Sequence, residues 1–174
     1  MLVKKIDPNP KVTTILKETI VKTKNTWANL KPKNSTYEEF KSQALPEQDV
    51  TNPNTDYIRI NSILNGSIRN TTKQLETAKS ILGADEITNS VVYNPMSFMK
   101  WHTNSNNCGK RIYYTFSNKP SVFMWKHPKT NEIILEKDNA GWSAREFIVD
   151  HNYLLWHSIW AEGLRFSYGF NKKL

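Results

Sequence analysis

Cysteine is almost absent from this chain of 174 residues: Cys108 is the only one. A single thiol excludes an intrachain disulfide, a zinc ribbon and a cysteine-bound iron–sulfur cluster, and it suits a reducing compartment. Long apolar runs are missing too. None approaches the roughly 20 residues of a membrane helix. The start, Met1-Leu2-Val3-Lys4-Lys5-Ile6-Asp7, lacks the apolar core of a signal peptide. The expectation is a soluble, cytoplasmic protein with no membrane partner. Acidic residues are also in short supply, 16 against 24 Lys and Arg, for a net charge of +8. That excess would attract a polyanion such as nucleic acid without establishing that it binds one. Much of it sits in the first 35 residues and at Lys172-Lys173, which suits solvated tails better than one shaped groove.

What is abundant is aromatic. Five of the six tryptophans (Trp101, Trp125, Trp142, Trp156 and Trp160) follow residue 100. The core is therefore expected in the C-terminal part, with most of these rings inside it and some available to line a site.

Residues 1 to 55 read as a loosely organised basic arm, interrupted by Pro8, Pro10, Pro32, Pro46 and Pro53. Val12 to Trp27 suits a strand or a short helix equally. Ser35-Thr36-Tyr37-Glu38 has capping-box spacing and predicts a short helix to about Ala44. The second unit, residues 56 to 174, opens with the clearest helical period, from Tyr57 to Leu82. Its apolar positions are Ile60, Ile63, Leu64, Ile68, Leu75, Ala78 and Leu82, with a weak point at Asn65-Gly66-Ser67 and a stop at Gly83. The apolar stripe predicts docking on a sheet.

From Glu86 the texture turns to β-branched and aromatic residues broken by turns. Eight short strands are predicted: Ile87 to Tyr93, Phe98 to Thr103, Arg111 to Phe116, Ser121 to Trp125, Glu132 to Leu135, Arg145 to Val149, Tyr153 to His157 and Arg165 to Phe170. Eight such strands in about 85 residues predict a mainly β fold, a two-sheet jelly-roll barrel with supporting N-terminal helices.

His102 follows the second of these strands and His157 ends the seventh. Neutral imidazole is a common ligand for ferrous iron. Either histidine alone is as readily an ordinary hydrogen-bonded side chain. Arg165 and Ser167, two residues apart on the last strand, face one side of it. A guanidinium and a hydroxyl there match a carboxylate. The alternative partner for Arg165 is a protein carboxylate such as Glu162 or Asp150.

The order and spacing of these residues resemble the iron(II)- and 2-oxoglutarate-dependent oxygenase superfamily, in its prolyl-hydroxylase-like branch. Tyr93-Asn94-Pro95 with His102 nine residues after the tyrosine resembles the branch's tyrosine, turn and His-x-Asp. His157 with Arg165-Phe166-Ser167 resembles the second iron histidine and the Arg-x-Ser that holds 2-oxoglutarate. The resemblance covers the C-terminal 90 residues. It implies a double-stranded β-helix (cupin-like), Fe(II) on His102 and His157, and 2-oxoglutarate on Arg165, Ser167 and Tyr93. The implied activity is a dioxygenase that oxidises an unidentified substrate and releases succinate and CO2. Two positions depart from the pattern. Met96 stands where the branch commonly has glycine, a minor change. Asn104 stands where it has the carboxylate ligand. Asn104 then acts as a neutral ligand or leaves room for water, opens the position to a halide, or marks a site that has lost iron. Asp138, Glu146 and Asp150 are the other carboxylates of this region, and none has a spacing that argues for it. The rival readings are a metal-free jelly-roll binding or structural module and a basic accessory protein of nucleic acid.

Overall fold

The structure, a computed structural model, describes residues 3–51, 57–59 and 68–174. It is mainly β, with two antiparallel sheets. In chain order the elements are β1 (Val3–Ile6), α1 (Pro10–Lys22), α2 (Lys24–Trp27), α3 (Tyr37–Lys41), β2 (Tyr57–Arg59), α4 (Ile68–Leu82), β3 (Glu86–Tyr93), β4 (Ser97–His102), β5 (Gly109–Ser117), β6 (Ser121–Lys126), β7 (Ile133–Asp138), β8 (Gly141–Val149), β9 (His157–Ala161) and β10 (Arg165–Lys172). The larger sheet has the order β1-β8-β5-β10-β3-β2 and the smaller β4-β9-β6-β7.

Strand alternation assigns each face of the larger sheet a task. Phe166, Tyr168 and Phe170 on β10, with Ile112 and Tyr114 on β5, form one apolar face with Val12, Leu16 and Ile20 of α1 and Leu75 and Ala78 of α4. Tyr168 is pinned there: Thr19 Oγ1 and the Tyr168 hydroxyl are 2.7 Å apart, and the threonine also reaches the carbonyl of Leu16 at 2.6 Å. The intervening residues turn the other way, towards the smaller sheet. Between the sheets lies a second core that includes Val91, Met99, Phe123, Phe147 and Ile159. The outer face of the smaller sheet, with Val122, Met124 and Trp160, packs on Phe40 of α3 and on Trp101.

Residues 3–51, in the arm expected to be loosely organised, are folded onto this frame. Val12 to Trp27 resolves as helix. Asn9 caps α1 through its side chain, with Pro10 in the first turn where a missing N–H costs nothing. β1 pairs with β8. The capping box is present, formed by Thr36 and Glu39, one residue later than predicted, and α3 ends at Lys41 rather than Ala44. The helix expected from Tyr57 begins only at Ile68: residues 57–59 form a strand on β3, and Ile60, Ile63 and Leu64 lie outside the described residues. Gly83 closes α4 at φ 59°, as its position predicts.

Seven of the eight predicted strands form at their expected places, with ends shifted by a few residues. The Tyr153 to His157 strand does not. Tyr153 makes only an isolated bridge to Asp150, and the strand starts at His157 instead of ending there. Among the described residues no helix is long and apolar enough to cross a membrane.

Candidate functional site

An open-mouthed cavity of about 590 Å³ lies between the two sheets. His102, Asn104, His157, Arg165, Ser167 and Tyr93 all line it. The convergence follows from register. β4 and β9 run antiparallel, and a register shift between Met99 and His102 makes His102 the cross-strand partner of His157. Their ring centroids are 4.0 Å apart, and the two side chains are 3% and 1% exposed.

Each imidazole is oriented by its own backbone. Nδ1 of His102 lies 2.9 Å from the carbonyl oxygen of Lys100, and Nδ1 of His157 lies 2.9 Å from that of Leu155. A carbonyl only accepts, so Nδ1 carries the proton and Nε2 keeps its lone pair, as a histidine that coordinates through Nε2 requires. Burial pushes His102 down to about 4, against the pull of the carbonyls of Lys100 and His157. Burial also holds His157 well below the ordinary range, with the charges of His102, Arg111 and Arg145 acting in the same direction. Both rings are neutral at pH 7, the state that coordinates.

Asn104 sits just past β4 at φ 58°, a left-handed conformation that asparagine tolerates better than most residues. The turn is fastened by Asp49, whose carboxylate accepts from the hydroxyls of Thr103 and Ser105. It delivers the Asn104 amide nitrogen to 3.1 Å from His157 Nε2. Met96 proves more than a minor change. Its φ is 51°, so the position demands the left-handed conformation that glycine adopts freely and methionine adopts at a cost of about 1 kcal/mol or more.

Arg165 is 2% exposed. Its guanidinium lies 5.2 Å from the centre of the Tyr93 ring, and Nη2 donates to Thr115 Oγ1 at 3.2 Å. Its Nε and Nη1 are buried without an acceptor. Neither Glu162 nor Asp150 pairs with it: Asp150 caps its own turn at Asn152. The Tyr93 hydroxyl donates to Met99 Sδ at 3.6 Å. Ser167 lies two residues from Arg165 on the same strand face, opposite Thr115 and Val91.

Two buried arginines were not singled out from the sequence. Arg145 donates from Nη2 to both oxygens of Asp138, at 2.9 and 2.7 Å, and its guanidinium lies 4.5 Å from the centre of the Phe123 ring. Lys5 reaches the same carboxylate at 2.9 Å. Arg111 donates from Nη2 to the carbonyl of Asn107 at 2.8 Å, and its Nε is buried without an acceptor. The signal available in sequence was parity. Arg111 shares a strand face with Tyr113 and Thr115, opposite to the core residues Ile112 and Tyr114.

No Asp or Glu lines the cavity among the described residues, and no group of three or more His, Cys, Asp or Glu comes together among them. The carboxylates considered as substitutes are engaged elsewhere: Asp138 with Arg145 and Lys5, Glu146 with Lys110 at 2.6 Å, and Asp150 in its turn. Nor do the tryptophans line the cavity. Trp101, Trp125 and Trp160 are buried in the cores. Cys108 and His127 are loop and turn residues.

No family model matches this chain, and no curated protein matches its sequence. Solved structures do. A prolyl hydroxylase from Trichoplax adhaerens, determined in complex with a peptide fragment of the hypoxia inducible factor oxygen degradation domain, aligns with a TM-score of 0.54 at 11% identity. The alignment covers 98% of this chain and 83% of that one. The fold is prolyl-hydroxylase-like. A prolyl-4-hydroxylase from Pseudomonas putida aligns at a TM-score of 0.47 and 12% identity, over 98% of this chain and 92% of that one. At such identities the likeness is one of fold alone.

Proposed function

We propose that the chain is an oxygenase-type protein that takes 2-oxoglutarate in this cavity beside a metal centre without a protein carboxylate. The two sheets would be the walls of a double-stranded β-helix. The observation that carries the reading is Arg165: a buried guanidinium with two unmet N–H groups, in the same cavity as two histidines whose Nε2 lone pairs are free of protons. A buried cation needs a partner. The distal carboxylate of 2-oxoglutarate would supply it, with Ser167 as a further donor.

The donors suit a ferrous ion at two positions, His102 Nε2 and His157 Nε2. The third would fall to Asn104, whose amide must turn its oxygen inward, since its nitrogen now faces His157. When bound together and met by O2, iron and 2-oxoglutarate would supply the oxidative decarboxylation that gives succinate and CO2 and oxidises a substrate. The protein's share is to fix the imidazole tautomers through Lys100 and Leu155, clamp one carboxylate at Arg165, and keep water out between two packed sheets.

A second reading has its own support. The amide of Asn104 donating to His157 Nε2 satisfies that histidine without metal, and Arg165 would hold a dicarboxylate all the same. Anaerobic titration with Fe(II) and 2-oxoglutarate separates the two. The oxygenase reading expects the weak visible charge-transfer band of the chelate and its loss in His157→Ala. A protein that 2-oxoglutarate stabilises against heat equally with and without a chelator, and that never shows the band, is the metal-free binding module.

A further inference from the structure

The charges in the cavity do not balance with one dicarboxylate and a metal. Arg145 is neutralised by Asp138. Arg111 and Arg165 are not, and no carboxylate lines the cavity among the described residues. A 2-oxoglutarate dianion cancels those two arginines by itself. A ferrous ion then leaves two positive charges in a low-dielectric space, where uncompensated charge is costly. The two arginines are also separate positions. Arg165 pairs across β10 and β5 with Ser117, whereas Arg111 pairs with Asn171, six residues further along β10. At the rise of a strand that sets their Cα atoms about 20 Å apart.

We infer that Arg111 forms a second oxyanion subsite, and that the molecule this protein acts on carries a carboxylate or a phosphate. Three observations support it. Arg111 is 3% exposed yet has no carboxylate partner among the described residues. Its buried Nε lacks an acceptor. Asn106 and Asn107 line the cavity with it; the Asn107 amide already donates to Glu86 at 3.1 Å, so the amide of Asn106 is the further donor at this end. The inference rests on the proposed function only in calling the occupant a substrate; the subsite itself needs no metal.

The test uses the full chain and isothermal titration with inorganic phosphate and with acetate, each with and without saturating 2-oxoglutarate. One anion binds the 2-oxoglutarate-saturated protein, and whichever binds more tightly names the oxyanion class. Arg111→Gln weakens that binding roughly tenfold or more, since it removes a charge-assisted hydrogen bond, while 2-oxoglutarate affinity stays within about twofold. Should Arg111→Gln fail to fold, the Nε–H resonance of Arg111 in the unaltered chain gives the same answer, shifting on phosphate or acetate addition in the presence of 2-oxoglutarate. Anion binding that only competes with 2-oxoglutarate, that is equal in Arg111→Gln, or that leaves the Nε–H resonance unmoved overturns the inference. If 2-oxoglutarate does not bind but phosphate or acetate does so through Arg111, the subsite stands and the proposed function falls. If 2-oxoglutarate binds and neither small anion does, the reverse holds.

Discussion

The amide nitrogen of Asn104 lies 3.1 Å from Nε2 of His157, the atom that a metal would use. On the function proposed above, Asn104 takes the place of a carboxylate ligand: it touches the histidine but brings no charge. Asn104→Asp restores the charge at a φ of 58°, which aspartate also tolerates. Fe(II) or Co(II) affinity should rise by roughly tenfold to a hundredfold, a range typical for groups that tune a metal site. Anaerobic equilibrium dialysis checks it. An unchanged affinity would mean that this turn does not face a metal.

Arg165→Gln separates binding from folding. A buried guanidinium with two unmet N–H groups stabilises nothing by itself, so thermal stability should stay level or rise. Affinity for 2-oxoglutarate should fall by about 1.5–3 kcal/mol, the value of hydrogen bonds to a charged partner. Calorimetric titration and a thermal melt of one preparation read both.

Asp138 is the opposite case, a buried charge that is matched. Burial works to raise its carboxyl, but the charge of Arg145 and the hydrogen bond from Lys5 outweigh it and hold the group below its ordinary 3.8. A carboxyl with a depressed folded value lends stability above its unfolded value and loses it as pH falls through the folded one. The wild type should therefore lose stability as pH falls out of the ordinary carboxylate range and through the lower folded value. Asp138→Asn should be weaker by about 3–5 kcal/mol at neutral pH, with Arg145 left only the carboxylate of Glu136 at 3.7 Å, and should show a shallower acid decline. Urea melts across that range measure both.

Thr19→Val probes the helix side of the sheet. It removes the partner of the Tyr168 hydroxyl, whose ring is fully buried. A loss of about 1–3 kcal/mol is expected from an unsatisfied buried hydroxyl. Binding of 2-oxoglutarate should not change, because Tyr168 and Ser167 face opposite sides of β10. Weaker binding would mean that the two faces are coupled.

Sequence reading reached further for strands and site than for helices and charge pairing. Alternation and turn residues located most strands, and the spacing of Tyr93, His102, His157, Arg165 and Ser167 placed all five in one cavity. The Tyr153 to Trp156 run has strand composition but no ladder partner, so its propensity was overridden. Pro10 was read as an interruption, although after Asn9 it is a helix start. The Arg145–Asp138 pair joins β8 to β7 in the other sheet, and such a contact follows from how the sheets face each other, which no local pattern encodes. Met96 showed its meaning only through its backbone angle.

β1 forms the outer border of the larger sheet, laid against β8, with Val3 buried and Lys5 on Asp138. Four residues therefore shield the flank of β8 from Ala144 to Phe147, Arg145 among them. Trimming the chain after Ile6 would bare that flank as a template for other chains. Preparations shortened at the amino terminus should self-associate before they lose the cavity, and light scattering would register the change ahead of any loss of ligand binding.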